Sequence, residues 1–349
     1  MKIRWQTKRT DEPLWPSSAP VVMVVNAPEE GPSTLRGWAL SSPTFARAPE
    51  SRRKVSGHMD VLAPGGTAIF QKRCVDLPLD EEHPRLHVKD DGVYRIDVAT
   101  GTSTRAGFEP LLNSGQSGGR TMAPAPGAEA VVILDGWSIS DEPDPLDDLP
   151  SVIEGAGGLE AYMRSLRTNA RMRLSLATFD GAPARELITL EGTSFGGGLP
   201  CQWSPDGKYL ALNVCPADKA TPYPDVIVFD TATWEIQARF EDAHLTGSAS
   251  WGPDSDRLLL SWLDVWVQHL DGNRQPITVL PNTDSIGPNA AHPLGMADNN
   301  HLLTFRAPRD RGTLMRTSLA DGTHEGIVTW EGGYGTYPVL AQMPPETWA

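Results

Sequence analysis

Hydrophobic positions along the chain fall in short runs closed off by Pro, Asp, Asn and Gly. In Cys201-Gln-Trp-Ser-Pro-Asp-Gly-Lys-Tyr-Leu-Ala-Leu212 an apolar stretch meets a Pro-Asp-Gly turn, and a second apolar stretch follows at once. Proline fixes φ at one corner of such a turn and glycine accepts positive φ at another, so the segment predicts a hairpin of two short strands. The pattern returns as Ala249-Ser-Trp-Gly-Pro-Asp-Ser-Asp-Arg-Leu-Leu-Leu260, and in weaker form over Leu294 to Phe305, Met59 to Phe70 and Met122 to Ile133. Trp203 and Trp251 each stand two residues before the turn proline. A large ring there can fill the wedge between neighbouring sheets.

Each hairpin is followed by another. Val226 to Asp230 leads into Trp234 to Phe240, Val265 to Gly272 into Ile277 to Leu280, and Leu314 to Leu319 into Ile327 to Trp330. Val93 to Val98 before Thr100-Gly101, and Leu174 to Phe179 before Asp180-Gly181, repeat the arrangement upstream. Two hairpins per unit make a four-stranded sheet, with units of about 40 to 50 residues. Five units run from about Val55 to Trp330. Thr336 to Gln342 reads as the innermost strand of one more, with Ile3 to Gln6, Val21 to Val25 and Leu35 to Leu40 as partners. These Trp-x-Pro-Asp repeats resemble those of the TolB-like and WD-repeat-like β-propeller families. The resemblance implies an all-β fold, one propeller domain over 1–349. It would have about six four-stranded blades (seven is the other count the spacing allows) and a closing blade shared by both termini. Closure removes sheet edges that would otherwise pair with other chains. The motif says nothing about chemistry, because propellers host both enzymes and scaffolds.

One unit is interrupted at about 138–172. The stretch opens acidic, Asp141 to Asp148, where Asp144, Asp147 and Asp148 are candidate cation ligands. It then turns helical: Ser151-Val-Ile-Glu154 matches a capping box, and Leu159, Tyr162, Met163 and Leu166 recur at helical spacing. Arg164, Arg167 and Arg171 take the other faces. Such a helix either lays its apolar stripe on the propeller or serves as a lid or partner-binding arm.

Composition sharpens this picture only in places. The 349 residues, 39% hydrophobic and 21% charged, are ordinary for a globular protein, while 33 Gly and 31 Pro suit many tight turns. A formal net charge of −14 repels phosphate backbones, so nucleic acid is not an expected partner. The run Arg52-Arg53-Lys54 reads as a solvated loop. Three cysteines, Cys74, Cys201 and Cys215, form no CxxC pair, which suits reduced thiols in the cytoplasm. Met1 to Trp15 has basic residues with no apolar run after them, and Val21 to Val25 is too short to span a membrane, so neither export nor membrane insertion is expected.

Candidate chemistry lies where the leading strands of the units converge. The positions ahead of the turns hold His58, Asp60, Arg120, Gln202, His244, His292 and Tyr337. His58, His244 and His292, completed by Gln202, are candidate ligands for a divalent metal ion, since imidazole is its commonest ligand. Arg120, Asp60 and Tyr337 are the candidate catalytic groups beside them. Gly115-Gln-Ser-Gly-Gly119 and Gly192-Thr-Ser-Phe-Gly196 both match G-x-S-x-G, but both fall in links between units and read as flexible connectors rather than nucleophile elbows. No phosphate-binding glycine loop is present. The leading expectation is a protein–protein interaction module. The alternative is an enzyme (lyase, hydrolase or isomerase) acting on a small molecule at the channel mouth.

Overall fold

The structure, a computed structural model, describes residues 5–7, 21–26, 32–39, 51–54, 60–62, 68–76, 88–97, 102–107, 118–127, 129–138, 149–168, 170–195, 201–219, 223–246, 250–262, 264–277, 292–296, 298–306, 311–331 and 336–341. The chain begins with β1 (Trp5–Thr7), β2 (Val21–Asn26), β3 (Pro32–Ala39) and β4 (Ser51–Lys54). A first four-stranded sheet follows in chain order: β5 (Asp60–Leu62), β6 (Ala68–Asp76), β7 (Val88–Asp97) and β8 (Ser103–Arg105). The second is β9 (Gly118–Pro124), β10 (Ala130–Ser138), β11 (Ala170–Thr178) and β12 (Arg185–Glu191), with α1 (Leu149–Gly155) and α2 (Leu159–Thr168) between β10 and β11. In the third, β13 (Thr193–Phe195) and β14 (Cys201–Trp203) lie end to end along β15 (Tyr209–Pro216), followed by β16 (Asp225–Asp230) and β17 (Ile236–Phe240).

The fourth sheet is β18 (His244–Leu245), β19 (Arg257–Ser261), β20 (Val265–His269) and β21 (Arg274–Pro276). The fifth is β22 (His292–Met296), β23 (His301–Arg306), β24 (Arg311–Ser318) and β25 (His324–Glu331), to which β1 adds on the outside. Finally β26 (Thr336–Ala341) pairs with β2, and that sheet continues through β3 to β4. Every ladder is antiparallel, as hairpin connections require. The chain is all-β in the described residues apart from α1 and α2.

Four sequence expectations need correction. Ile3 to Gln6 was expected in the sheet shared by the termini, yet Trp5–Thr7 pairs with Val328–Trp330 in the sheet before it. Arg52-Arg53-Lys54 is no loop: it belongs to β4, paired with Pro32–Thr34 of β3. A strand joins its ladder through backbone groups, so a run of charged residues can pair where its side chains alone suggest a loop. The fourth strand after Val265 to Gly272 is Arg274–Pro276, ahead of the expected Ile277 to Leu280, because the turn closes over Leu270-Asp271-Gly272, with His269 N bonded to Asn273 O, and the ladder resumes at once. Ser151 lies inside α1, which starts at Leu149, and so is not its N-cap.

Burial explains why the middle strands read as unbroken apolar runs. Val131 to Leu134 of β10, Leu210 to Leu212 of β15 and Leu258 to Leu260 of β19 are all fully buried, because neighbouring sheets cover both their faces. Outer strands have one neighbour fewer: β8 and β21 are exposed along their whole length and β12 and β17 mostly so. Bulges between the third and fourth strands of three sheets, at Leu174/Ser175, Val228/Phe229 and Leu314/Met315, add local twist toward these outer strands.

The seams between sheets repeat one contact. Trp203 Nε1 donates to Ala123 O at 3.0 Å, and Trp251 Nε1 donates to Gln202 O at 3.0 Å. Ala123 and Gln202 each lie three residues before their own turn proline, Pro126 and Pro205. The tryptophan of one unit therefore always reaches the same carbonyl of the unit before it. Trp251 is fully buried, stacked on Tyr209 at 6.0 Å and packed with Ala211, Val226, Val228 and Leu260. Gln202 tightens the same seam: its Oε1 accepts from Ser250 N at 2.6 Å.

The turns that follow these tryptophans are also joined. Gly207 has φ +73° and Ser255, at the equivalent position, φ +59°; a serine thus accepts the left-handed backbone that glycine takes in the unit before. Ser255 Oγ accepts from Asp206 N at 3.2 Å, and Asn299 Nδ2 donates to Asp254 Oδ2 at 2.6 Å, so the turn tips of three successive units touch. Farther out, Gly107 bonds across a seam to Thr178 and Ala184; a Cβ there would lie 2.1 Å from Ala182 O, so only glycine fits.

The first strands of successive sheets approach one another. β5 lies beside β9, β9 beside β14, and β18 beside β15; β26 lies beside both β22 and β5. Replacing Trp251 with alanine removes a fully buried ring and should cost about 3–5 kcal/mol. Trp251→Phe keeps aromatic packing but leaves Gln202 O without its donor, and is expected to fall between alanine and wild type. Urea unfolding of the three proteins measures the order.

Candidate functional site

Antiparallel meanders give each sheet two ends. At one end lie the turns after the first and third strands, which carry the Pro-Asp-Gly tips and the Asx turns of Asp180, Asp230, Asp271 and Asp321. At the other lie the loops between second and third strands and the links to the next sheet. The turn end repeats from unit to unit. The loop end does not, and the unusual features gather there.

The largest is the pair α1–α2, inserted between β10 and β11. α2 rests beside β13 and β15 of the next sheet, and its root is tied down by backbone bonds. Gly192 N donates to Ala170 O at 3.0 Å and Ala217 N to Gly192 O at 2.9 Å. Leu159, the first residue of the helical apolar stripe, is 61% exposed, and Tyr162 is half-buried. The side chains of Met163 and Leu166, and the acidic stretch with Asp144, Asp147 and Asp148, lie outside the described residues. Arg164 pairs with Glu160 at 3.3 Å and Arg171 with Glu191 at 3.6 Å.

Ala217 opens the next loop, which holds a buried ionic cluster. Asp225 is fully buried. Lys219 Nζ reaches its Oδ1, and Arg239 donates to its Oδ2 from Nε at 2.9 Å and Nη2 at 2.6 Å. Asp242 N also donates to Asp225 Oδ1 at 3.2 Å, and Lys219 bridges on to Asp242 Oδ1 at 2.7 Å. Burial alone would lower the pKa of Lys219, but its bonds to Asp225 and Asp242 outweigh that and hold it above the ordinary lysine value. The cluster ties the loop after β15 to the end of β17.

Four residues on from Lys219, Tyr223 meets Trp262, which stands in the matching loop of the following sheet. Their ring centroids are 4.6 Å apart at a 48° tilt, and both remain open to solvent, Tyr223 at 38% and Trp262 at 41%. This pair spans a seam at its surface, where Trp251 spans it in the core.

The candidate site residues read from sequence are distributed evenly. Asp60, Arg120, Gln202, His244, His292 and Tyr337 each lie on the first strand of a different sheet, β5, β9, β14, β18, β22 and β26. His58 and the side chains of Asp60, Arg120, His292 and Tyr337 lie outside the described residues. Along its ladder Arg120 stands opposite Asp135, a buried carboxylate that pairs with Arg173 at 3.4 Å. Gln202 is engaged with Ser250, as above. His244 Nδ1 lies 2.8 Å from Leu245 O and its Nε2 3.3 Å from Asn213 Nδ2. Asn213 Oδ1 in turn accepts from Leu245 N at 2.9 Å, joining β15 to β18. Among the described residues no three His, Cys, Asp or Glu side chains gather as a metal site.

The serine motif at Gly192–Gly196 also has a definite place. Thr193–Phe195 forms β13 against Val214–Pro216, so these residues are a paired strand rather than a flexible connector, and the next described element is again a strand, β14. The other match, 115–119, lies outside the described residues up to Gly118. Cys201 is free and buried, and burial pushes its thiol far above the ordinary value; Cys215 is half-buried. Among the described residues no helix is long and apolar enough to cross a membrane.

Asp225→Ala would remove the partner of Arg239 and one of the two partners of Lys219, which keeps Asp242, and is expected to destabilise the chain by about 1–3 kcal/mol. The raised pKa of Lys219 means that its contribution is complete below the unfolded lysine value and is lost as pH rises through the higher folded one. Thermal unfolding from neutral to strongly alkaline pH should therefore show a loss above the ordinary lysine range that Lys219→Met lacks.

No family model matches the chain, and no curated protein matches it. Among solved structures it is similar to TolB from Acinetobacter baumannii, at 14% identity and TM-score 0.47, covering 93% of this chain and 67% of that one. It is similar to an acylaminoacyl peptidase at 13% identity and TM-score 0.44, covering 92% of this chain and 51% of that one. Oligopeptidase B from Leishmania major matches at 11% identity and TM-score 0.43, over 89% of this chain and 40% of that one. The chain spans about half the length, or less, of these two peptidases. Its structural neighbours are TolB and prolyl-peptidase-type β-propeller folds.

Proposed function

We propose that the chain is a cytoplasmic protein–protein interaction module, a single closed six-bladed propeller that binds its partner on the loop end. The observation that carries this reading is the segregation of features between the two ends. One end is a regular array of tight turns. The other holds the helical insertion, the exposed Leu159 and the open Tyr223–Trp262 pair. Apolar and aromatic side chains left in solvent on a rigid scaffold suit protein contact. Closure is supported by β26, which joins β2 in a sheet drawn from both termini and lies beside both β22 and β5. The cytoplasmic assignment rests on the odd number of cysteines and on the free, buried Cys201.

Affinity purification from the native cells, with quantitative comparison of variants, tests the reading. A partner held by wild type should be retained by Lys208→Glu on a turn tip and lost by Leu159→Glu/Arg164→Glu on α2. Loss with the turn-tip variant and retention with the α2 variant would overturn the choice of face.

A further inference from the structure

The Tyr223–Trp262 pair has a distinct chemical setting. Lys219, in the loop of Tyr223, is taken up by Asp225 and Asp242, and Arg239 at the end of β17 by Asp225. Asp218, Glu241 and Asp264 are exposed, and among the described residues none of the three has an ion-pair partner. Asp218 shares the loop of Tyr223, and Asp264 O accepts from Trp262 N at 2.9 Å. Two open aromatic rings thus stand in loops that also carry the unpaired Asp218 and Asp264, on a chain whose net charge is −14.

Rings and carboxylates together favour one kind of group. The face of an indole or phenol ring attracts a cation, and nearby carboxylates supply its counter-charge. The chain already contains such a contact, with Arg274 Cζ 3.9 Å from the ring centre of Trp266. We propose that the Tyr223–Trp262 pair is the docking point for an arginine-bearing basic segment of a protein partner, its guanidinium stacked on the rings and paired with the flanking carboxylates. Arginine suits it better than lysine because a planar guanidinium can stack and hydrogen-bond at once. The proposal rests on the loop end being the interaction face and names the chemistry of what binds there.

The test uses a fluorescein-labelled peptide of alternating glycine and arginine, and its counterpart with citrulline, which keeps the shape and removes the charge. Anisotropy titrations compare wild type with Trp262→Ala, Trp262→Phe and Asp264→Asn, all first checked for an unchanged unfolding midpoint. Wild type should bind the arginine peptide and not the citrulline one. Trp262→Ala and Asp264→Asn should each weaken binding by about five- to tenfold, and Trp262→Phe by less. Binding should weaken with added salt.

Equal binding by wild type and Trp262→Ala would mean diffuse attraction to an acidic surface, and would overturn the proposal. Equal binding of the citrulline peptide would overturn it as well. Either result leaves the interaction reading intact if the α2 variant still loses its partner. Conversely, an arginine peptide that needs Trp262, beside a partner indifferent to the α2 variant, would remove the assignment of α2 and keep this site.

Discussion

The structure depends on the seam between neighbouring sheets. A four-stranded sheet of this kind has two apolar faces and cannot stand alone in water, so each must be covered by the sheet before and the sheet after. Non-directional burial would allow neighbouring sheets to slide. The indole N–H of Trp203 and of Trp251, each directed at the carbonyl three residues ahead of the previous turn proline, fixes the offset. Once that offset is set, the turn tips come into reach of one another, and Asp206 meets Ser255 without further adjustment. Burial supplies the energy and the indole hydrogen bond supplies the register.

The same logic separates the two ends. The turns are locked by short local bonds that each unit repeats, so little there can vary without disturbing a seam. The loops at the other end connect strands whose positions are already fixed, and they can change length and content. The α1–α2 insertion, the Lys219–Asp225–Arg239–Asp242 cluster and the Tyr223–Trp262 pair all use that freedom. Even so, the loop after β15 is firmly held, by Asp225 beneath it and by the bonds from Ala170 through Gly192 to Ala217.

Much of the fold was legible in the sequence because its hairpins are local. Trp-x-Pro-Asp names a strand, a turn and a seam contact within a few residues, and the units after Val55 were found in this way. What failed was nonlocal. Nothing in Trp5 to Thr7 says which of two neighbouring sheets it will extend, and Arg52 to Lys54 joins a ladder through its backbone while its side chains look like loop. The candidate residues, expected at the entries to the leading strands, lie within those strands, Asp60, Arg120, Gln202, His244, His292 and Tyr337 one to a sheet, because alignment on the turns fixes position along the chain only to within a few residues. Alignment cannot fix what a side chain touches. Gln202 and His244 turn out to hold seams together. The ionic cluster escaped notice because its four members come from three separate segments, and Trp262 because it stands off the repeat position that the other tryptophans taught the eye to follow.

Three outer strands carry a further meaning in their sequences. β4 reads Ser-Arg-Arg-Lys, β8 Ser-Thr-Arg and β21 Arg-Gln-Pro. Each is short, and each ends its sheet in positive charge, with proline added in β21. A second copy approaching edge to edge would have to bring like charges together and find few backbone groups to pair with. An acidic protein thus keeps positive charge on three of its outer strands, where a sheet could otherwise grow, and this charge opposes edge-to-edge assembly.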